Sequence, residues 1–400
     1  MTIKQALTCG GYFLKSEFDV LVVGVGVGGA TTGFFLSSQN IDVLMVEKKK
    51  IVGSPVRCGE FIPTQESLKK MLPNSKYIEK IYSLIPEKVV SNKTKWIRFY
   101  SPSNECFEFK FDGLVLKRNL LEQWIVEETL KRNVYLYTSS LVKSIKDRGK
   151  FSLVLVEGSQ FSGVVKAGIV VGADGFPSKI AEWYGLKTGY GLSDVAFAVQ
   201  KVLTGVDVEK DVVEMFSGNN YAPKGYAWII PKGDDTANVG LGIRLNHFKV
   251  AHKISVVEYL NHFIKKHPIA SKRLSKAKTL NFTAKLVPVG GIVSETHKNN
   301  VVLVGDAAGL VLAVNGSGIP TAMISGCIAG ELIAEHVKGN LDLNVYSNLL
   351  KQEIGKILGR SVTFRKVADI FMGSDKLFDF ILKIVGVKGV SKVLKCESLF

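Results

Sequence analysis

Near the N-terminus the chain reads Phe18-Asp-Val-Leu-Val-Val23, an apolar run that stops at glycines, passes through small residues to Leu36, and resumes from Ile41 to Val46 before Glu47. Two short apolar runs separated by a longer small-residue segment predict strand, helix, strand. Further on, Phe107, Phe109 and Phe111 alternate with Glu108 and Lys110 behind the turn-forming stretch Ser101-Pro-Ser-Asn104. Alternation with period two predicts an antiparallel hairpin with one buried face. A helix over about Arg118 to Lys131 follows, with Leu120, Leu121, Trp124 and Ile125 on one side.

Ile169-Val-Val-Gly-Ala-Asp-Gly175 reads as another buried strand ending in a turn, with a helix starting near Pro177. From about 186 to 285 the pattern is one of strands with a single basic helix. A last apolar strand, Val301 to Val304, runs into Gly-Asp and then a long small-residue helix, and the final 60 residues read as amphipathic helices. The stretch Ala307 to Gly330 carries no charge, but Asn315, Gly316, Gly318 and Pro320 interrupt it, so it is not read as a membrane span.

Composition narrows the picture. At 400 residues, 46% hydrophobic and 22% charged, the chain exceeds one ordinary domain and has the apolar content for large cores. Its 52 Lys and Arg against 36 Asp and Glu leave a net charge of +16, which predicts an anionic partner: nucleic acid, a membrane surface or a phosphorylated substrate. Cys9, Cys58, Cys106, Cys327 and Cys396 are far apart with no Cys-x-x-Cys pair, so neither a disulfide scaffold nor a metal cage is expected, and a cytoplasmic setting fits. The first 17 residues lack the unbroken apolar core of a secretory signal and read as a short extension.

Gly24-x-Gly26-x-x-Gly29 follows a predicted strand and opens a predicted helix, and Glu47 ends the next strand 18 residues after Gly29. That is the context of a dinucleotide-binding fingerprint. Gly24 permits a tight turn, Gly26 lets a pyrophosphate approach the backbone, Gly29 allows close packing, and the helix N-terminus offers free amides. Glu47 is expected to accept from a ribose hydroxyl and to disfavour a 2′-phosphate, which leaves the ADP half of FAD or NAD. Val301-Val-Leu-Val-Gly-Asp-Ala-Ala-Gly309 places Asp306 at a strand end, where it could meet a ribityl hydroxyl. Asn315-Gly-Ser-Gly-Ile-Pro320 then starts a helix whose amides near Gly318 and Ile319 face any anion there, such as the edge of a reduced flavin.

At this point the chain resembles the FAD-binding fold of p-hydroxybenzoate hydroxylase, with Gly172-Ala-Asp174-Gly175 matching its internal Asp-Gly motif and Arg118 matching a basic residue used against FAD. It resembles more closely the geranylgeranyl reductases, particularly the archaeal lipid-making type. Pro55-Val-Arg-Cys58-Gly59-Glu60 looks like their flavin-side cysteine loop. Tyr226-x-Trp228-x-Ile230-Pro231, followed by Gly240-x-Gly242, is similar to their substrate-cavity motif, with Ile230 where the family has phenylalanine. Pro288-Val-Gly290-Gly291 precedes the Gly-Asp strand as in that family.

The resemblance implies an α/β and α+β architecture: a Rossmann-type FAD-binding domain discontinuous in sequence (1–185 plus 286–340), an antiparallel-sheet substrate domain (186–285) and a helical C-terminal region (341–400). It implies FAD as cofactor, held by Gly24, Gly26, Gly29, Glu47, Cys58, Gly59, Arg118, Val142, Asp174, Asp306, Gly318 and Ile319. The substrate set is Tyr226, Trp228, Ile230, Pro231, Gly240, Gly242, Pro288, Gly290 and Gly291. The reaction implied is saturation of geranylgeranyl C=C bonds in a lipid precursor, either digeranylgeranylglycerophospholipid or geranylgeranyl diphosphate. Electrons would come from NAD(P)H or a ferredoxin-type protein. Cys58 and Tyr226 are the candidate proton donors; an ordinary thiol, with a pKa of about 8.5, is mostly protonated at neutral pH. By period alone Tyr226, Trp228 and Ile230 share one strand face and either line a cavity or pack a core.

Other readings stay open from the residues alone: a flavin monooxygenase of the aromatic hydroxylase branch, or a non-catalytic prenyl carrier on the same fold. His247, His252, His262 and His267 lack the i, i+4 spacing of metal ligands, so no metal is expected and they read as surface residues of a basic helix. Residues 247 to 278 carry eight Lys and Arg against Glu258, a local +7, either a solvated face or a patch for anionic lipid at the inner face of a membrane. No nucleic-acid motif is present, and aromatic residues are not interleaved with the basic ones, so nucleic acid is not expected. Phe378, Ile381, Leu382, Val385 and Val393 form an apolar stripe in the tail that either caps the cavity or lies on a membrane.

Overall fold

Residues 15–248 and 254–398 are described by the computed structural model. Most of the expected N-terminal extension, together with Lys249, His252 and Lys253, lies outside them. In chain order the strands are β1 (Glu17–Val23), β2 (Val43–Val46), β3 (Phe61–Pro63), β4 (Val90–Tyr100), β5 (Cys106–Leu116), β6 (Val134–Tyr137), β7 (Ser140–Asp147) and β8 (Ser152–Gly158). They continue with β9 (Ser162–Gly172), β10 (Val195–Thr204), β11 (Val212–Phe216), β12 (Tyr226–Gly233), β13 (Thr236–Arg244), β14 (Lys278–Pro288), β15 (His297–Lys298) and β16 (Val301–Leu303).

The first sheet has the path β15-β16-β9-β1-β2-β6, with β7 and β8 attached through β9. Its centre, β16-β9-β1-β2-β6, is parallel throughout. Val20, Leu21 and Val22 are fully buried, as a central parallel strand covered on both faces requires. Val301–Leu303 joins this sheet beside β9 although about 130 residues separate them, so the nucleotide-type unit is discontinuous as expected.

The small-residue helices at either end of this unit explain each other. Helix Val27–Ser37 packs on helix Ile319–Val337, where a side chain at Gly326 would meet the Gly28 carbonyl at 2.5 Å and one at Gly330 would meet Phe35 at 2.7 Å. Backbones this close admit only glycine, and every residue from Ile319 to Gly330 is buried, so the helical part of the uncharged Ala307–Gly330 stretch has no room for an unpaired charge. It is a core helix, and no helix among the described residues is long and apolar enough to cross a membrane.

The second sheet runs β14-β10-β13-β12-β11-β4-β5-β3 and is antiparallel except for the β4–β11 pair. Here the expected boundaries need correction. Residues 61–116, placed by sequence in the FAD-binding segment, supply β3, β4 and β5 to this substrate sheet, and β14 extends to Pro288 rather than stopping at 285. The hairpin itself is as expected: Phe107, Phe109 and Phe111 are buried on one face of β5. That face belongs to a core of its own with Ile97, Met215, Ile230, Phe378 and Leu382, so apolar surface on β4 and β5 is satisfied only by crossing to the second sheet.

The helix Arg118–Leu130 is rotated from the expected face. Leu121, Glu122, Ile125, Val126 and Thr129 are buried, while Leu120 is exposed and Trp124 is half-buried under the Lys88 ammonium at 3.6 Å. A carboxylate enters the buried stripe because Arg118, one turn earlier, pairs with Glu122 at 2.8 Å. The last region is helical, with the main helices at Lys356–Phe371 and Asp375–Leu394, the second kinked at Gly386.

Candidate active site

One cavity of about 1230 Å³ runs between the two sheets. Ligand pockets are ordinarily ~300–1,000 Å³, so this volume accommodates more than one small molecule. At one end lie Gly24, Gly26, Gly29, Glu47 and Val142; in the middle Arg118, Asp306, Gly318, Ile319 and the Cys58 loop; at the other end Tyr226, Trp228, Ile230 and the C-terminal helices.

The glycine turn behaves as its spacing requires. Gly24 has φ +92°, and a side chain there would strike the Ala173 carbonyl. At Gly26 the nearest atom to an added Cβ is 3.8 Å away, so the backbone faces open cavity. Helix Val27–Ser37 has no side-chain cap at Gly26, and helix Ile319–Val337 has none at Gly318, leaving both sets of N-terminal amides directed at the cavity. Glu47 is buried; its Oε2 accepts from Val25 N at 2.8 Å and Oε1 from Lys49 N at 3.0 Å. A carboxylate has about four acceptor positions, so two remain for a hydroxyl.

Asp306 carries a partner that its motif does not announce: the Lys285 ammonium on β14 pairs with its Oδ2. Burial opposes its charge, but Lys285 and, further off, Arg118 hold its carboxyl below the ordinary carboxylate range. Asp174 is differently engaged. It accepts from Ser178 Oγ at 2.7 Å and from the amides of Lys179 and Ile180, so its carboxylate caps the short Lys179–Trp183 helix. Its side chain is committed to the local turn, and its contribution to the cavity wall is positional.

The Cys58 loop is pinned from three sides. Glu60, buried and with φ +66°, accepts from Arg118 N at 2.9 Å and pairs with the Lys232 ammonium. The Cys58 carbonyl accepts from Gln200 Nε2 at 2.9 Å and from Asn238 Nδ2 at 3.2 Å. Neither Gln200 nor Asn238 was singled out by sequence. The Cys58 sulfur accepts from Glu60 N at 3.3 Å and lines the cavity. At Gly59 an added Cβ would lie 3.0 Å from the Ile230 Cδ1, so any larger residue would have to push that side chain aside.

Tyr226, Trp228 and Ile230 all line the cavity, and the same three side chains pack on the Phe107–Phe111 core behind it. Tyr226 donates its phenol hydrogen to the Asn315 carbonyl at 2.5 Å, and burial pushes its pKa well above the usual phenol range. The two glycines opposite have different tasks. Gly240 faces Trp228 across the ladder, where an added Cβ would come within 2.4 Å of the indole; Gly242 faces Tyr226 and has nothing closer than 4.0 Å. Gly240 seats the ring from behind, and Gly242 is open wall.

Pro231, Gly240, Pro288, Gly290 and Gly291 do not line the cavity, against expectation. Pro231 points to the other face of β12 by alternation, and its carbonyl accepts from Asn92 Nδ2 at 3.0 Å. Pro288 closes β14 opposite Val195. Gly290 makes room for the Tyr190 ring, which donates to the Gly291 carbonyl, and Gly291, with φ +88°, lies against Val362.

His267 is also a correction. It is buried among Phe216, Tyr221 and Phe263, and its Nδ1 accepts from Ile269 N and Ala270 N at 3.2 and 3.3 Å. Burial, with a smaller effect from Arg273, pushes it down to about 4. His262 is exposed and stacks on Tyr221. Among the described residues no group of His, Cys, Asp and Glu is placed to hold a metal ion.

The comparisons with known proteins agree with this geometry. Residues 194–287 match the family model described as geranylgeranyl reductase catalytic domain. A digeranylgeranylglycerophospholipid reductase of Methanocaldococcus jannaschii is 31% identical, covering 93% of this chain and 92% of that protein. Digeranylgeranylglycerophospholipid reductase 2 of Methanothermobacter thermautotrophicus is 31% identical over 96% of this chain and 95% of its own. Among solved structures, a geranylgeranyl bacteriochlorophyll reductase-like protein from Thermoplasma acidophilum superposes with a TM-score of 0.82 at 27% identity, covering 96% of each chain. A flavin-dependent brominase, at TM-score 0.72 and 16% identity over 96% of each chain, shares the fold. With a flavoenzyme fold, a matching catalytic region and relatives alike along nearly their whole length, the chain belongs to the geranylgeranyl reductase family.

Proposed function

We propose that the protein is an FAD-dependent reductase that saturates C=C bonds in the geranylgeranyl chains of isoprenoid membrane-lipid precursors. The observation that carries this is the continuity of one cavity from an uncapped, glycine-lined phosphate cradle to an apolar wall bearing Tyr226, Trp228 and Ile230. The cradle fits FAD: two helix N-termini present free amides, Gly26 leaves the backbone open, and Glu47 retains acceptor positions. When bound there, FAD supplies the hydride. The apolar wall binds a prenyl chain chiefly by desolvation, at about 0.8 kcal/mol per buried methylene.

The chain's own residues exclude water, orient the substrate and hold the proton. The Cys58 sulfur accepts one hydrogen bond, from Glu60 N, and its S–H is left to donate into the cavity. The Tyr226 hydrogen is spent on the Asn315 carbonyl, which fixes the loop leading into helix Ile319–Val337. Cys58 is therefore the favoured proton donor and Tyr226 the residue that positions that loop.

The substrate's setting points to a membrane surface, and the helices over the cavity supply a face for it. Phe378 and Leu382 point inward, while Ile370, Phe380 and Ile384 are 71%, 59% and 65% exposed among the exposed lysines Lys366, Lys376, Lys383 and Lys388. Exposed apolar residues ringed by lysine are the composition of an interfacial helix. The 247–278 segment is weaker than its charge implies, because Arg273 is ion-paired at 2.8 Å with the buried Glu214.

The test is anaerobic. Dithionite-reduced protein is mixed with a digeranylgeranyl lipid, and products are weighed by mass spectrometry. Gains of two hydrogens per double bond are expected; no gain with phospholipid, diphosphate or alcohol substrates would overturn the reading.

A further inference from the structure

The end of the cavity remote from the glycine turn is not apolar throughout. Arg244, Arg360, Arg365 and Asp369 line it. Arg244 ends β13, and Arg365 and Asp369 stand one turn apart on the Lys356–Phe371 helix. Both Arg244 and Arg365 pair with the single carboxylate of Asp369, Arg365 at 3.5 Å, and Arg365 also reaches Asp194 at 2.7 Å. Three guanidinium groups thus stand against two carboxylates. Arg244 is 8% exposed and Arg365 3%, and the Nε–H of each is buried with no acceptor among the described residues.

Buried guanidinium donors ordinarily find partners, since an unsatisfied charged donor in a dry site is costly. Arg365 is held by Asp194, Asp369 and the Ser193 carbonyl, whereas Arg244 has among the described residues only its share of Asp369, so Arg244 has donors to spare and, with Arg360, the cluster keeps one positive charge in excess. A phosphate provides what is missing, a negative charge and several acceptor oxygens, and arginine matches it with paired donors. Position agrees. Arg244 lies six residues beyond Asn238 on the same face of an unbulged strand, ~20 Å from the residue that holds the Cys58 loop. The apolar wall of Trp228 and Tyr226 lies between them.

We propose that Arg244 and Arg365 form a phosphate subsite, which holds the anionic head of the substrate while the prenyl chain runs along the Tyr226–Trp228 wall toward Cys58. The subsite rests on the reductase reading above and adds to it that a charged head group is selected within the cavity as well as at the membrane. Burial beside Arg365 lowers Arg244 to about 10, as two cations sharing one anion would.

Binding tests this without turnover. The FAD-loaded protein is titrated with geranylgeranyl monophosphate, geranylgeranyl diphosphate, geranylgeraniol and inorganic phosphate, following quenching of tryptophan fluorescence, since Trp228 lines the cavity. The wild type is expected to bind the phosphorylated chains at least about tenfold more tightly than the alcohol, the scale of one charge-assisted hydrogen-bond pair. Arg244→Gln is expected to reduce that preference to about twofold or less, and Arg244→Lys to restore part of it. Inorganic phosphate is expected to compete with the phosphorylated chains and not with the alcohol.

Equal wild-type affinity for alcohol and phosphates would overturn the subsite alone, and so would Arg244→Gln weakening both classes alike, the mark of a purely structural ion pair. If Arg244→Gln does not fold, the wild-type preference and the phosphate competition still decide. Failure of every prenyl probe to bind would instead overturn the reductase reading, and the subsite with it.

Discussion

Asn238 joins the substrate wall to the cysteine loop: its Oδ1 accepts from Trp228 Nε1 at 2.8 Å, and its Nδ2 donates to the Cys58 carbonyl at 3.2 Å. It is fully buried. One amide therefore sets the indole that lines the cavity and the backbone that carries the thiol.

Replacing Asn238 by leucine leaves the indole N–H without its acceptor and the Cys58 carbonyl with only Gln200. Each lost buried partner costs about 1–3 kcal/mol. Asn238→Leu is expected to lower stability by that order in a urea titration and to slow reduction of a geranylgeranyl lipid under conditions where the fold persists.

Cys58→Ala is expected to retain flavin, checked by absorbance, while single-turnover reduction falls by about 10² or more, the usual range for a lost proton donor. Tyr226→Phe is expected to act differently, loosening the Asn315 loop and weakening flavin retention. An unchanged rate in Cys58→Ala would remove Cys58 from the chemistry.

The Gly240-x-Gly242 pair separates seating from open wall. Gly240→Ala places a methyl 2.4 Å from the indole and must displace Trp228, whereas Gly242→Ala meets nothing closer than 4.0 Å. Gly240→Ala is expected to cost about 1–3 kcal/mol by overpacking and to quench reduction. Gly242→Ala is expected to remain stable, with a changed preference among prenyl substrates. Thermal melts and competition assays check both.

His267 makes stability depend on pH. In the folded chain burial and, to a smaller extent, Arg273 lower its pKa from the ordinary imidazole value of 6.5 to about 4. Between those values the unfolded chain binds the proton and the native chain does not, so stability rises with pH through this window, and the penalty grows as pH falls from 6.5 to about 4. At about 1.36 kcal/mol per pKa unit the effect is on the order of 3 kcal/mol. His267→Asn keeps an acceptor for the Ile269 and Ala270 amides and removes the titration. Urea unfolding at pH 7 and pH 4.5 is expected to show a smaller drop in the variant.

Much of the nucleotide end was legible because its demands are local. A turn that needs φ > 0 at Gly24 and an exposed backbone at Gly26 writes itself into adjacent residues, and the strand, helix and acid around it confirm the context within 30 positions. The face shared by Tyr226, Trp228 and Ile230 follows from strand alternation alone. Pro231, Gly240, Pro288, Gly290 and Gly291 read as cavity residues in the sequence because a motif does not distinguish a residue that touches a ligand from one that seats its neighbour. Asp174 illustrates the same ambiguity, since a helix-capping carboxylate and a cofactor-facing one look alike in one dimension.

By itself, the sequence determined the order of elements, the discontinuous nucleotide unit, the glycine cradle and the shared strand face of Tyr226, Trp228 and Ile230, since each depends on backbone geometry and periodicity over short spans. Tertiary structure alone decided that residues 61–116 build the substrate sheet, that Lys285 meets Asp306, that Gln200 and Asn238 grip a loop 142 and 180 residues away, and that Arg244 and Arg365 share Asp369. Those choices are made when buried polar groups and apolar faces find partners in the packed core, a selection governed by proximity in space that no local pattern encodes.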